Sequence, residues 1–422
     1  MEPTPPPPPR PPPTPTPWRA SGPSAAVRDD VAVDAVPAAA WNGLAPTQPL
    51  LSQAFLHALH RSGCASAATG WRARYLTAWD GPRLAGALPL YEKAHSYGEY
   101  VFDWAWADAY RRYGVPYYPK LVAAIPFTPA SGPRLLGDTG GMREQLLDAA
   151  LRRLRAPPAG QARCSSLHLL FITPDEADLC ARAEMIIRHG VQFHWTNPGC
   201  RDFADYLATF NHDRRKKIRQ ERRRLAAAGV EFERRTGSAI RPADWDFFHR
   251  CYETTYHAHH STPYLSLEFF HLLGATMPEA LLLVVGRREG IPVCAALDVH
   301  GGGTLWGRYW GATEAIPGLH FEACYYQAIE FCIERGIDRF EGGAQGLHKL
   351  ARGLLAVPTY SAHAIADPDF ARAIGEFCAR ERSDVAHTLD ELEAAAPFRR
   401  TDDDATADTA AAIVASARDG DD

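Results

Sequence analysis

Apolar and polar positions along this chain fall into two blocks that carry the same order of elements. In the first block, helical spacing predicts a helix over Ser52–Ser62. A strand at Arg74–Trp79, the turn Asp80-Gly81 and a strand at Leu84–Tyr91 follow. In the second block, helices within Pro242–Leu273 lead to a strand at Leu281–Val285, the turn Glu289-Gly290 and a strand at Pro292–His300. The stretches Leu84–Leu90 and Val293–Val299 are alike, both rich in small residues. Each block then continues helix, strand, helix, strand. The first set is Met142–Arg155, Leu167–Ile172, Asp175–Arg188 and Val191–Trp195. The second is His320–Arg335, Ile337–Glu341, Ala344–Arg352 and Val357–Ile365, with Gly336 placed to end its helix in the left-handed conformation. The echo is one of pattern rather than identity. It predicts two α/β units with mixed sheets flanked by helices.

The pattern fails at both ends. Residues 1–45 open on a proline run broken by Arg10, a composition that builds no core, and residues 401–422 are acidic and Ala-rich. The expected organisation is therefore a disordered tail over 1–45, a first domain over 46–210, a linker helix over 211–229, a second domain over 230–400 and a disordered tail over 401–422. The linker, Asn211 to Gly229, contains Arg214, Arg215, Lys216 and Lys217 with only a narrow apolar stripe at Ile218 and Leu225. It reads either as a solvated helix or as a cradle for the phosphate of a nucleotide, coenzyme A, a tRNA end or a lipid head group.

Composition narrows the choices. At 46% hydrophobic and 23% charged residues the chain is that of a globular protein, and its 422 residues exceed one ordinary core. A net charge of −5 argues against nucleic acid as the main ligand. No apolar run is long enough for a membrane span, no signal peptide is recognisable, and the nine cysteines are odd in number and scattered. A cytoplasmic location follows as the expectation.

Candidate chemistry concentrates in two places. The first is the turn Phe340–Lys349, where three glycines stand with Glu341, Gln345, His348 and Lys349, followed by Arg352. Glycines admit a ligand close to backbone, and the polar groups could move a proton or hold charge. Ser361 and His363 share one face of the next strand. The second is an aromatic and polar stretch with neither helical nor strand period: His95, Glu99 and Asp103, then Tyr118 and Lys120, then Arg134. It reads as a pocket wall or as a packing loop. His257-Ala258-His259-His260 lacks the spacing of a metal site, and no metal is predicted. No nucleophile elbow or nucleotide-binding glycine loop is present.

These residues resemble a bacterial family of N-acyltransferases related to the FemAB peptidoglycan aminoacyltransferases and built on the GNAT fold. The phrases that carry the likeness are His95–Asp103, Tyr117–Leu121, Pro126–Pro129, Phe321–Tyr326, Gly343–Lys349 and the basic joint, within a span of Ser52 to Glu381. The resemblance implies two tandem GNAT-like domains and transfer of an acyl or aminoacyl group to an amine. No permanently bound cofactor is implied. The donor would be acyl-CoA or aminoacyl-tRNA, and the acceptor a small molecule or a cell-wall precursor. Glu341 or His348 would act as base, with Lys349 and backbone N–H groups near Gly342-Gly343 stabilising the oxyanion. Arg214 to Lys217 would hold donor phosphate, and Arg308–Thr313, with Arg308 and Gly311, is a near miss for the loop that wraps the pyrophosphate of coenzyme A. The family pattern expects glutamate where this chain has Leu347. That departure keeps open a second reading, a catalytically impaired protein of the same fold that binds a phosphate-bearing ligand.

Overall fold

The computed structural model describes residues 25–399 apart from Asp138, His259, Ala344 and Gln345. Most of the two predicted tails lies outside the described residues. The N-terminal boundary is nevertheless corrected: residues 25–45 are ordered. A strand forms at Ala26–Asp29, and Val33, Val36 and Trp41 are buried. Trp41 donates its indole N–H to the Leu51 carbonyl at 2.9 Å. The proline-based expectation extended too far because the apolar residues after Ser24 have a core to join.

The first unit contributes β1 (Ala26–Asp29), β2 (Trp71–Ala73), β3 (Leu76–Asp80), β4 (Arg83–Leu88), β5 (Leu90–Lys93), β6 (Lys120–Ala123), β7 (Leu136–Gly137), β8 (Ser166–Ile172) and β9 (Ile186–Thr196). The second contributes β10 (Val230–Thr236), β11 (Leu281–Arg288), β12 (Ile291–Gly301), β13 (Thr304–Ala312), β14 (Arg339–Glu341) and β15 (Leu355–Ile365). Strands β1, β3, β4 and β7 form a small sheet. All others join one sheet in the order β10-β11-β12-β13-β14-β9-β15-β8-β6-β5-β2. The predicted strand Leu84–Tyr91 is split at Pro89, which has no N–H for a ladder, and the chain passes there from the small sheet to the large one.

The two α/β units are thus present and share a sheet. Their last strands are exchanged. Strand β9 of the first unit lies between β14 and β15 of the second, and β15 lies between β9 and β8 of the first. Each unit also has one parallel pair, β6 with β8 and β13 with β14. In the second unit this pairing covers only Thr304–Trp306 against Arg339–Glu341, although β13 runs on to Ala312. In the first it covers Leu121–Ala123 against Leu167–Leu169, although β8 runs on to Ile172. Each unit therefore contains a V where a parallel pair parts.

Local chemistry explains most helix ends. Ser52, Thr139, Asn211 and Asp367 cap the helices Gln53–Arg61, Gly140–Arg155, His212–Ala227 and Pro368–Ala394 through side-chain oxygens. Gly336 is left-handed, as its position predicts. The helix expected over Asp175–Arg188 ends at Arg182, because residues from Ile186 onward enter β9. The helix Pro368–Ala394 lies against β9 and β15, and a helix at Trp104–Arg112 interrupts the aperiodic segment. Among the described residues no helix is long and apolar enough to cross a membrane.

Candidate functional site

The two Vs are not equivalent. In the first, Tyr100 and Val101 pack against Val122, Ala124, Leu170 and Phe171, so the gap is plugged by the chain's own loop. In the second, the gap is open. A cleft of about 320 Å³ lies on one side, walled by Tyr100, Phe102, Tyr252, Tyr256 and Arg308. A smaller cavity of about 90 Å³ also borders the gap, lined by Asp298, His320, Cys324, Tyr325 and Phe340. The two share the strand segment Gly307–Trp310 and Gly342. A bulge sets this geometry: Leu297 pairs with Tyr309 but Asp298 pairs with Gly307, leaving Arg308 as the extra residue.

Glu341 is the last residue of β14 to pair with β13. Its side chain is 2% exposed. One carboxylate oxygen accepts from the Ser131 N–H at 3.2 Å and lies 3.9 Å from His194 Nε2; the other is 3.4 Å from Arg339 but has no hydrogen-bond partner. Burial pushes the carboxyl up to about 7, with Arg339 and the Ser131 N–H limiting the rise. The strand alternation turns Phe340 and Gly342, rather than Glu341, toward the small cavity. Glu341 stands one residue behind the opening, covered by the loop that carries Ser131.

His348 and Lys349 lie on a 3-10 turn, Leu347–Arg352, in place of the predicted helix. His348 Nε2 pairs with the Tyr325 hydroxyl at 3.1 Å, and its pKa is lowered by burial and by Lys349 and Arg352. Lys349 is buried, which lowers its ammonium to about 8, and it donates to the Gly343 carbonyl at 3.0 Å. The Gly342 N–H donates to the Phe193 carbonyl at 3.1 Å and so is engaged in the sheet rather than offered to an oxyanion. That corrects one expected donor. Arg352 is not turned to a ligand: it binds Glu221 at 3.1 Å and lies 3.5 Å over the Phe321 ring. Gln345 lies outside the described residues.

The aromatic segment divides in two. It walls the site through Tyr100 and Phe102. Its predicted ligand-binding groups mostly turn inward. Lys120 Nζ donates to Ser96 at 2.9 Å, to Glu99 at 2.8 Å and to Asp103. Tyr117 donates to Asp103 at 2.6 Å, and Tyr118 meets Ser96 at 2.8 Å. Burial alone would raise Asp103, but the Lys120 ammonium reverses this and holds it below the usual carboxylate range. His363 pairs with His168 at 2.6 Å and with Ser361 at 2.9 Å, and burial lowers both imidazoles far below their ordinary value. Lys120, Glu99, Asp103 and His363 are each at most 3% exposed. They form an interior network that holds the loop which plugs the first V. His95 stays outside it, bonded to the Thr69 carbonyl at 3.1 Å. Arg134 is buried and donates to the carbonyls of Ala130, Gly132 and Pro133, bracing the loop above Glu341.

The expected phosphate groups also separate. Gly311 is a packing glycine: a Cβ there would stand 1.8 Å from the Cys251 carbonyl oxygen. Arg308 donates to Thr128 and to the Phe127 carbonyl, tying the Pro126–Pro129 loop to the bulge. The basic helix is docked by Arg222, which grips Glu322 at 2.8 Å and Glu330 at 2.8 Å. Glu322 opens a π-helical turn, Glu322–Tyr326, so the phrase Phe321–Tyr326 marks a special backbone. Arg214, Arg215, Lys216 and Lys217 lie on the outer part of the helix with no side-chain ion pair among the described residues. Leu347 is 69% exposed and stands on the rim of a separate cleft of about 420 Å³ bounded by Phe102, Gln192, Phe193 and Glu381. Asp298 is the residue that the sequence reading passed over. An acid inside the apolar strand Val293–Val299 was the available signal.

Two α/β units, each with an antiparallel run followed by a parallel crossover that opens a V, define a protein of the tandem GNAT-like class. The chain belongs to the FemAB-like family, described as peptidoglycan biosynthesis/recognition, whose model matches residues 32–400. Solved structures similar to it include FemX, at 12% identity over 73% of this chain and 92% of that one, with a TM-score of 0.47. L-PGS from Bacillus licheniformis is 10% identical over 78% of this chain and 96% of its own, with a TM-score of 0.44. A tandem GNAT protein from the clavulanic acid biosynthesis pathway is 11% identical over 81% and 99%, with a TM-score of 0.40. No curated protein matches the chain.

Proposed function

We propose that this protein is an N-acyltransferase with one active site, in the V of the second unit. The observation that carries the reading is the contrast between a plugged V and an open one within the same chain. The donor is an acyl-CoA or an aminoacyl-tRNA, and the acceptor is an amine on a small molecule or a cell-wall precursor in the cytoplasm. The amine lone pair attacks the acyl carbonyl, the C–N bond forms, and the ester or thioester bond of the donor breaks. An amine is mostly protonated at neutral pH, so a base must take a proton. Glu341, held near 7 by burial, is suited to that exchange only where the amine reaches it past the loop that carries Ser131, and His348 is the alternative. The basic run Arg214 to Lys217, with Lys216 and Lys217 exposed and Arg214 and Arg215 half-buried, supports a role in holding donor phosphate.

Leu347, where the family pattern has glutamate, favours the second reading of a binding protein that has lost its chemistry. Label transfer separates the two. Wild-type protein is offered [14C]acetyl-CoA or a mixture of 14C-aminoacylated tRNAs with a cell-wall precursor peptide bearing a free amine. Transfer that is lost in Glu341→Gln supports the enzyme reading. Binding of a donor without transfer establishes the impaired one.

A further inference from the structure

The small cavity at the crotch of the V contains a group the proposed mechanism does not yet use. Asp298 lies on β12 beside the bulge, is 2% exposed and lines the cavity. Its Oδ2 is buried without a hydrogen-bond partner. Such an orphan is costly and calls for an explanation. The internal repeat adds a second point. Aligning the two small-residue strands places Asp298 against Pro89, so the acid belongs only to the unit whose V is open. A third comes from the oxyanion: the Gly342 N–H, one of the expected donors, is committed to Phe193.

Resting on the acyltransferase reading, we propose that the Asp298 carboxyl is the hydrogen-bond donor that faces the acyl carbonyl in the crotch. Burial raises its pKa well above the ordinary carboxylate value, against the pull of Arg308, which favours the protonated form that a donor requires. The cavity, about 90 Å³, has the volume of roughly three waters and admits a carbonyl and its substituents. As the C–N bond forms, the carbonyl oxygen gains charge and the Asp298 O–H strengthens its bond to it. The proton stays on Asp298. When the carbonyl re-forms, the charge leaves with the ester or thioester group of the donor. The principle is that of a donor preorganised where charge develops.

The test uses the full chain with the same [14C] donors and precursor peptide. Asp298→Leu removes the donor and should lower kcat about 100- to 1,000-fold with KM little changed, the loss typical of one oxyanion donor. Asp298→Asn keeps an N–H donor and should stay within about tenfold of wild type. Infrared spectroscopy of the ligand-free protein should show a protonated-carboxyl band that Asp298→Asn removes. Wild-type kcat in Asp298→Leu, a change confined to KM, an Asn variant as inactive as Leu, or no such band each overturns the inference. Should the Leu variant fail to fold, the Asn variant and the infrared band decide. If wild-type protein transfers label from neither donor, the acyltransferase reading itself fails, a result distinct from transfer that is indifferent to Asp298.

Discussion

Replacing Glu341 by glutamine should make the protein more stable at alkaline pH than at acid pH relative to wild type. Glu341 has an ordinary value of 4.5 when unfolded and about 7 when folded. Between those values the folded state binds more protons than the unfolded state, so wild-type stability falls as pH rises through that window. About one unit above pH 7 the cost is complete. At 1.36 kcal/mol per pKa unit the full separation is worth about 3 kcal/mol, of which about 2.5 kcal/mol accrues between pH 5 and pH 8. Glutamine keeps the shape and can still accept from the Ser131 N–H, but it cannot ionise. Urea unfolding of both proteins at pH 5, 6, 7 and 8, with equal m-values, measures the difference. The advantage of Glu341→Gln should grow by about 2–3 kcal/mol across that range. A difference that does not vary with pH would refute the reasoning. It would mean that Glu341 titrates as an ordinary carboxylate, and its case as a base poised near neutrality would go with it.

Three further outcomes are expected. Gly311→Ala should destabilise the fold by several kcal/mol, read as a large fall in melting temperature, because the new methyl meets the Cys251 carbonyl; a normal melt with weakened donor binding would restore the pyrophosphate reading. Lys120→Met should cost about 3–5 kcal/mol by leaving Asp103 buried without its cation and Glu99 with only Lys93 at 4.0 Å, and combining it with Glu99→Gln and Asp103→Asn should recover part of that in thermal unfolding. Changing Arg214, Arg215, Lys216 and Lys217 to glutamine should leave the melting temperature unchanged. It should also reduce the salt slope of tRNA binding by about 0.7–0.9 for each charge that touched phosphate, and an unaltered slope would exclude this face as the contact.

The second-unit strands were legible because their turns and apolar runs are local signals. Leu281–Val285 and Pro292–His300 fall within observed strands, and Glu289-Gly290 is the turn between them. Partner choice was not. Period-2 alternation in Val191–Trp195 and Val357–Ile365 says strand and says nothing of which ladder, so the exchange of β9 and β15 could not be read. The aromatic segment stands out as unusual, but spacing alone does not tell that its charges satisfy one another inside while Tyr100 and Phe102 wall the cleft. Asp298 was missed for a related reason: likeness between two small-residue strands drew the eye to what they share, and the informative position is where they differ.

The exchanged strands make the two halves mutually dependent. A chain divided near Asn211 would yield an N-terminal fragment whose β9 has lost both its ladder neighbours and a C-terminal fragment in which β15 has lost both of its own. Neither piece closes its sheet unaided, and each presents the open edges that drive association. Such fragments should recover structure on mixing, as a split protein does, so the duplicated halves behave as a single cooperative body. A lesion in one half is then felt by the other, because the first unit supplies a strand that completes the sheet of the second.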